Sequence, residues 1–218
     1  MRNRVLTLTL SILAILGMAT STASASANDM PDKIPAEVQS ALDHFGNTGE
    51  LTEQEKATIR DYPNIAKHVP DPDAPIETFG TSSPADNNDS ESVSTLESSS
   101  GSFNNGTGCW ITRVGVRKTS LLGNTQFDYM ARIDYCANGA TVTSVHQKYH
   151  YLNNADGVTY LRGYANGSPH VSGVGGSRSD VAIHGFIELC AGVCYASLYL
   201  KIDATIYNGG YFEWSARV

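Results

Sequence analysis

Two rows of alternating hydrophobic residues constrain the fold of this chain more than any other feature. When residues 110–118 and 127–136 are laid antiparallel with apolar side chains opposite apolar side chains, Cys109 falls opposite Cys136. A slip of one residue would turn every side chain to the other face of the sheet, so the pattern and the cysteines support each other. The sequence therefore predicts a disulfide-linked β-hairpin, with Trp110 opposite Tyr135 and Val116 opposite Tyr129.

The rest of the segment 109–218 has the composition of an antiparallel β domain. It holds ten of the eleven tyrosines and many Val, Ile and Thr residues between Asn-Gly and Gly-Gly turn sequences. We expect an all-β fold, a small sandwich or a partly closed barrel around a single core. A glycine- and serine-rich stretch at 165–180 predicts a long loop, either a mobile lid or simple slack. Further strands are predicted at residues 141–152, 158–164, 181–190, 195–207 and 211–218.

The chain has four cysteines, which predict two disulfides if the protein is exported, and three pairings exist for them. Once Cys109 and Cys136 are paired by register, Cys190 and Cys194 remain to close a small ring across an Ala-Gly-Val turn. Alternation puts Cys190 on the outer face of its strand and Cys194 on the inner face of the next. A β-bulge near the turn is needed to absorb that mismatch.

Three segments precede the β domain. Residues 1–27 join arginines, a short apolar run and small residues, the pattern of a secretory signal peptide rather than of a membrane span. Residues 28–69 predict two short helices, the second with a capping box at Thr52 and Glu55, which either dock on the β domain or form a removable pro-segment. Residues 70–108 are rich in Ser, Asp, Asn and Glu and predict a disordered acidic linker. We therefore expect a secreted, extracellular protein.

The charge of the chain excludes several partners. Its formal net charge is −7 and its mature part has no basic run, which argues against binding to nucleic acid or to an anionic membrane.

Sequence motifs for cofactors and metals are also lacking. The chain has no glycine motif for phosphate binding and no second cysteine pair to complete a zinc site. We expect no cofactor and no metal. A serine hydrolase is disfavoured because no GxSxG elbow is present.

Three histidines and a carboxylate, in two pairs that each have a spacing of four residues, form the candidate catalytic group. His146 and His150 would share a metal on a helix, but on a strand they lie roughly 13 Å apart. His184 and Glu188 repeat the spacing on a later strand. If the two strands were neighbours, the four side chains would form an acid–base cluster, so a small secreted hydrolase is the alternative hypothesis.

The main candidate for binding is a row of tyrosines on one predicted strand. Tyr195, Tyr199 and Tyr207 are interleaved with Ser, Lys, Asp and Thr on its outer face. Aromatic faces with polar neighbours bind sugar rings or partner proteins, although strand tyrosines are also ordinary packing residues. With catalytic motifs lacking, we interpret the protein as a non-catalytic module that binds an extracellular glycan or a protein partner, and favour this over an enzyme.

Several short motifs occur together in the predicted β domain: Cys109-Trp110, Ser120-Leu121-Leu122-Gly123, Phe127 with Tyr129, Tyr135-Cys136 before Asn138-Gly139, and Val142-Thr143-Ser144. In this combination the chain resembles a group of small secreted actinobacterial proteins that have no assigned activity. The resemblance extends from Cys109 to about Leu200. It implies export and β structure, and it leaves the function open.

Overall fold

The computed structural model describes residues 33–86, 92–96 and 99–218, so the predicted signal peptide at 1–27 lies outside the described residues. The described part begins with three helices and continues with eleven strands. The helices are α1 (Ala36–Thr48), α2 (Glu53–Arg60) and α3 (Pro63–Ala66). The strands are β1 (Glu77–Pro84), β2 (Ser92–Leu96), β3 (Ser100–Asn104), β4 (Gly108–Thr119), β5 (Thr125–Ala137), β6 (Val142–Asn153), β7 (Thr159–Tyr164), β8 (His170–Ser172), β9 (Arg178–Cys190), β10 (Cys194–Tyr207) and β11 (Tyr211–Arg217).

The strands form two antiparallel sheets that enclose one hydrophobic core, which confirms the predicted sandwich. The first sheet has the order β2-β1-β4-β5-β6 and the second has the order β3-β11-β10-β9-β7, with β8 added on β9. Alternate residues of the central strands face the other sheet and are buried. The largest of these side chains include Phe127, Tyr129, Tyr135 and Phe212.

The predicted hairpin is confirmed residue for residue. Trp110 lies opposite Tyr135, Val116 lies opposite Tyr129, and a disulfide joins Cys109 to Cys136 on neighbouring strands. The alternation of apolar residues was sufficient to specify this register because one face of the pair is buried in the core.

The second disulfide also forms, together with the bulge that it requires. Cys190 and Cys194 are joined, and the β9–β10 register shifts between Cys194 and Ala196. The extra residue in the bulge is Tyr195, so the alternation of side chains along β10 is reset directly after the cysteine.

The glycine-rich stretch at 165–180 is less free than predicted, because His170–Ser172 pair with β9 as a short strand.

The prediction of a disordered linker over 70–108 is wrong for much of that range. Strand β1 pairs with β4, and β3 pairs with β11. The inward positions of β1 carry small residues, Thr78, Gly80 and Ser82, and the Ser82 hydroxyl lies 2.9 Å from that of Thr112. Low hydrophobicity misled the prediction because these strands are held in their sheets by backbone pairing, which needs no large apolar side chains.

The two predicted helices dock on the β sheets, and a third short helix follows them. Val38, Leu42 and Phe45 of α1 are buried and belong to the same core cluster as the strands. The capping box of α2 is present, with the Thr52 hydroxyl accepting from the Glu55 amide and the Glu55 carboxylate accepting from the Thr52 amide. Proteolytic removal of residues 28–69 as a pro-segment remains a prediction. The apolar face of α1 is part of the core that such a removal would expose. No helix in the described residues is long and apolar enough to cross a membrane.

Candidate functional site

The outward side of the second sheet presents aromatic, basic and acidic side chains to solvent. Because side chains alternate along a strand, two residues paired directly across neighbouring strands point to the same side of the sheet. The pairs that point outward include Phe186 with Tyr199, His184 with Lys201, and Lys201 with Arg217. We call this side of the second sheet the outer face.

An aromatic patch lies on the outer face. It consists of Tyr160 on β7, Phe186 on β9 and Tyr199 on β10, each of which is about two-fifths exposed. The rings of Phe186 and Tyr199 are 5.1 Å apart and tilted by 33°. Solvent-exposed rings in contact are a platform on which a flat apolar surface can stack.

A hydrogen-bonded chain of polar side chains fixes the orientation of Tyr199. The His184 Nε2 atom lies 2.7 Å from the Asp203 Oδ1 atom, and His184 Nδ1 lies 3.2 Å from the Tyr199 hydroxyl. A carboxylate only accepts, so Nε2 of the neutral ring carries the proton and Nδ1 accepts from the tyrosine. Arg217 Nη2 donates to Asp203 Oδ2 at 3.3 Å. Four residues thereby hold one another in place beside the patch.

Two further cations border the aromatic rings. Arg162 lies over the Tyr160 ring, with 5.2 Å from its Cζ to the ring centroid, and donates from Nε to Glu188 at 2.9 Å. Lys201 Nζ lies 4.8 Å from the centroid of the Tyr199 ring. Both tyrosine rings of the patch are thus adjacent to cations that can donate hydrogen bonds.

Shallow grooves flank the Tyr199 region on the same face. One groove of about 450 Å³ carries hydroxyls and carboxylates, from Ser100, Ser102, Asp203, Thr205, Glu213 and Ser215. A second groove of about 360 Å³ is lined by Ser197, Leu198, Tyr199, Lys201, Arg217 and Val218. Their volumes are in the range of small-molecule sites. The lining of the first groove is mainly polar, and that of the second is mainly apolar.

The structure divides the predicted tyrosine row. Tyr199 and Tyr207 lie on the outer face, but Tyr195 does not, because the bulge at this residue reverses the alternation. The Tyr195 ring lies 6.1 Å from that of Phe45 in α1, and its hydroxyl donates to the His68 carbonyl at 2.9 Å. Burial raises the pKa of Tyr195. The assignment of Tyr195 to an exposed row is therefore wrong.

Tyr207 belongs to a separate part of the outer face. Eight residues along a strand separate it from Tyr199, which is roughly 27 Å. Its hydroxyl donates to Glu213 at 2.6 Å, and this hydrogen bond is the main reason that its pKa is raised. Its ring neighbours that of Tyr211 at 5.7 Å. We therefore do not include Tyr207 in the aromatic patch.

The four predicted catalytic side chains do not meet. His150 points between the sheets, where its Nδ1 lies 2.8 Å from the Tyr129 hydroxyl and its ring stacks on Tyr164 at 3.9 Å. Burial lowers the pKa of His150. His184 and Glu188 point away from the space between the sheets, because both lie on the outer face of β9.

His146 is separate from all three. The pairing of β5 with β6 shifts between Ile133 and Tyr135, which inserts one extra residue into β6 and reverses its alternation there. His146 is exposed, and its Nε2 lies 2.9 Å from the Ser144 hydroxyl. The geometry required by the hydrolase hypothesis is thus not found in the structure.

Among the described residues, one group of possible metal ligands lies close together, at Glu188, Cys190 and Cys194, with ligand atoms within 4.8 Å of one another. Both sulfur atoms are consumed by the disulfide, and the Glu188 carboxylate pairs with Arg162. This group therefore offers no free thiolate to a metal.

Sequence reasoning missed Phe186, Tyr160 and Arg217 as parts of the site. Each is an isolated residue on its own strand. Only strand pairing places Phe186 opposite Tyr199, and it places Tyr160 and Arg217 on the same face, opposite Glu188 and Lys201. The available signal was cross-strand: once β9 and β10 are joined by the cysteine turn and the one-residue bulge is included, counting back from the turn aligns Phe186 with Tyr199.

No family model and no curated protein matches this chain. Among solved structures, the chain is similar to a hypothetical protein from Listeria monocytogenes EGD-e, with a TM-score of 0.31 and 10% sequence identity. The similarity covers 59% of this chain and 91% of that one. Its level carries no functional argument, so function has to be inferred from the outer face itself.

Proposed function

We propose that this protein is a secreted, non-catalytic module that binds an extracellular glycan on the outer face of its second sheet. The observation that carries the proposal is the exposed ring pair of Phe186 and Tyr199, 5.1 Å apart, with polar groups fixed around it. Rings of this kind stack on the C–H faces of a sugar while neighbouring polar side chains bond its hydroxyls.

The fixed geometry of the polar groups supports a carbohydrate ligand. Glu188, His184 and Asp203 are each held by a partner side chain, so little rotamer entropy remains to be lost on binding. The neighbouring groove adds several hydroxyls and the Glu213 carboxylate. A polyhydroxylated ligand matches this mixture of donors and acceptors.

A protein partner fits the surface less well. The fully buried core of a protein interface is depleted of charged residues, whereas the rings here alternate with charged side chains. Arg162, Lys201 and Arg217 would all have to be desolvated by an apolar partner surface. A glycan keeps such groups hydrated or hydrogen-bonded.

Two disulfides among the described residues agree with an extracellular location, since such bonds persist in oxidising compartments. The signal-peptide pattern at 1–27 supplies the route of export in this proposal.

The test is a glycan array probed with the chain from residue 28 onward and with its Tyr199→Ala variant. If Tyr199 is a central stacking residue, truncation should cost about 2 kcal/mol, roughly 30-fold in Kd. Tyr149→Ala is the matched control, because Tyr149 is exposed to the same degree, 38% against 37%, but lies on the first sheet. Tyr199→Phe keeps the ring and removes only the bond to His184.

The proposal predicts a bound glycan whose affinity is lost in Tyr199→Ala and kept in Tyr149→Ala. Binding that is indifferent to Tyr199, or an array without any bound glycan, would show that the outer face is not a glycan site.

A further inference from the structure

A positively charged spot borders the aromatic patch of a protein whose formal net charge is −7. Lys201 and Arg217 stand directly opposite each other on β10 and β11, and both side chains lie on the outer face. Like charges directly opposite in an antiparallel pair are destabilising. A local arrangement that lowers stability is expected mainly where function requires it.

The Asp203 carboxylate offsets the charge repulsion between Lys201 and Arg217 only in part. Asp203 accepts from Arg217 at 3.3 Å, but its other oxygen is bonded to His184 at 2.7 Å. Among the residues that the structure describes, no carboxylate lies within ion-pair distance of Lys201. Its ammonium group rests over the Tyr199 ring instead. The spot therefore keeps one cation that is open to an external anion.

The position of the two cations matches the proposed sugar platform. Tyr199, Lys201 and Arg217 line one groove of about 360 Å³. A sugar ring stacked on Tyr199 would bring its exocyclic substituent towards the Lys201 ammonium and the Arg217 guanidinium. The guanidinium fork suits a planar carboxylate, and the nearby Asp203 would repel a phosphate dianion more strongly than a carboxylate.

On the basis of the proposed function, we propose that the ligand is an acidic glycan. A uronate residue stacks on Tyr199, and Lys201 and Arg217 bind its carboxylate. The ligand class is thus a uronic-acid-containing oligosaccharide or polysaccharide.

The overall negative charge of the protein makes binding of an acidic polymer a stringent test of this inference. At a net charge of −7 the whole molecule repels a polyanion at long range, so non-specific attraction does not mimic binding. Retention of a uronate polymer would have to come from the local cations and the rings.

The experiment is affinity electrophoresis of the chain from residue 28 onward in native gels that contain polygalacturonate, alginate or hyaluronan. Each polymer is compared with its carboxyl-reduced form, which has the same linkages but a neutral alcohol in place of each carboxylate. We expect at least one acidic polymer to retard the protein, and reduction of its carboxylates to weaken binding about tenfold or more.

The matched variants are Lys201→Gln and Lys33→Gln. Lys201→Gln should weaken binding to the acidic polymer by a similar factor and should weaken binding to the reduced polymer much less, so that the preference for the acidic form is lost. Lys33→Gln removes an equal charge from an exposed position in the N-terminal segment and should change neither. Lys201→Arg should keep most of the affinity, and an unchanged melting temperature of each variant verifies its fold.

Equal binding of the acidic and reduced polymers, equal loss in the two lysine variants, or no binding of any acidic polymer would overturn the inference. Neutral polymers that bind in a Tyr199-dependent manner would then still support the proposed function. Failure of every neutral and acidic polymer would overturn both.

Discussion

The substitution Leu42→Ala tests whether the N-terminal helices are an integral part of the folded domain. Leu42 lies in α1 and is completely buried, within the core cluster that includes both sheets. Leucine-to-alanine changes at buried sites cost 2–5 kcal/mol in general, and the loss is largest where the surroundings cannot relax into the cavity.

The contact between α1 and β10 leaves little room for such relaxation. A Cβ atom at Gly46 would lie only 2.0 Å from the Tyr195 carbonyl oxygen, so helix and strand backbones already touch. The helix cannot move closer to fill a cavity. We therefore expect a destabilisation of about 4 kcal/mol, which lowers Tm by roughly 8 to 16 °C for a domain of this size.

The assay is urea unfolding followed by tryptophan fluorescence, with a thermal melt as a second probe. Leu122→Ala is the matched control, because Leu122 is 47% exposed and its truncation should change stability by less than about 0.5 kcal/mol. Equal stabilities of the two variants would refute the packing argument and would favour a helical segment that is detachable without loss of the core.

Three further predictions concern the interior and the helices. Burial lowers the pKa of His150 below the unfolded value of about 6.5, so unfolding takes up a proton and stability falls as the pH drops below that value. His150→Gln should flatten this dependence in urea titrations at about pH 7.5 and about pH 5.5, and an unchanged slope would contradict the assignment. Gly185→Ala places a Cβ atom 2.5 Å from His150 Nδ1 and should cost about 1–3 kcal/mol, whereas Gly209→Ala, with no atom within 4 Å, should be nearly neutral. Equal melting temperatures for the two glycine variants would disprove the close approach. Thr52→Ala removes both hydroxyl contacts of the capping box and should cost about 1 kcal/mol, measured as a shift of the urea midpoint. A midpoint equal to that of the parent protein would show that the cap adds nothing.

Local patterns in the sequence determined the parts of the fold that depend on neighbours along the chain. The β4–β5 register followed from the alternation of apolar residues together with Cys109 and Cys136. The capping box at Thr52 followed from a spacing of three residues. Even the bulge beside Cys194 was foreseeable, because the two cysteines fell on opposite faces of their strands.

The candidate site was only partly predictable. Tyr199 and Lys201 were placed correctly on one face, since a period of two fixes the faces within a regular strand. The same reasoning failed at Tyr195 and His146, where a bulge interrupts the period. No local signal indicated that Phe186 or Arg217 would stand beside Tyr199.

What the sequence by itself determined is therefore the alternation within each strand, the disulfide pairs, the helix start and the charge of the whole chain. The tertiary structure alone decided that residues of the polar segment 70–108 complete both sheets, that α1 and the turn at His68 enclose Tyr195, and that His184, Asp203 and Arg217 join Tyr199 in one hydrogen-bonded chain. The physical reason is that backbone pairing and strand order bring together residues far apart along the chain. Neither of the two paired segments has a periodic sequence pattern that identifies its partner.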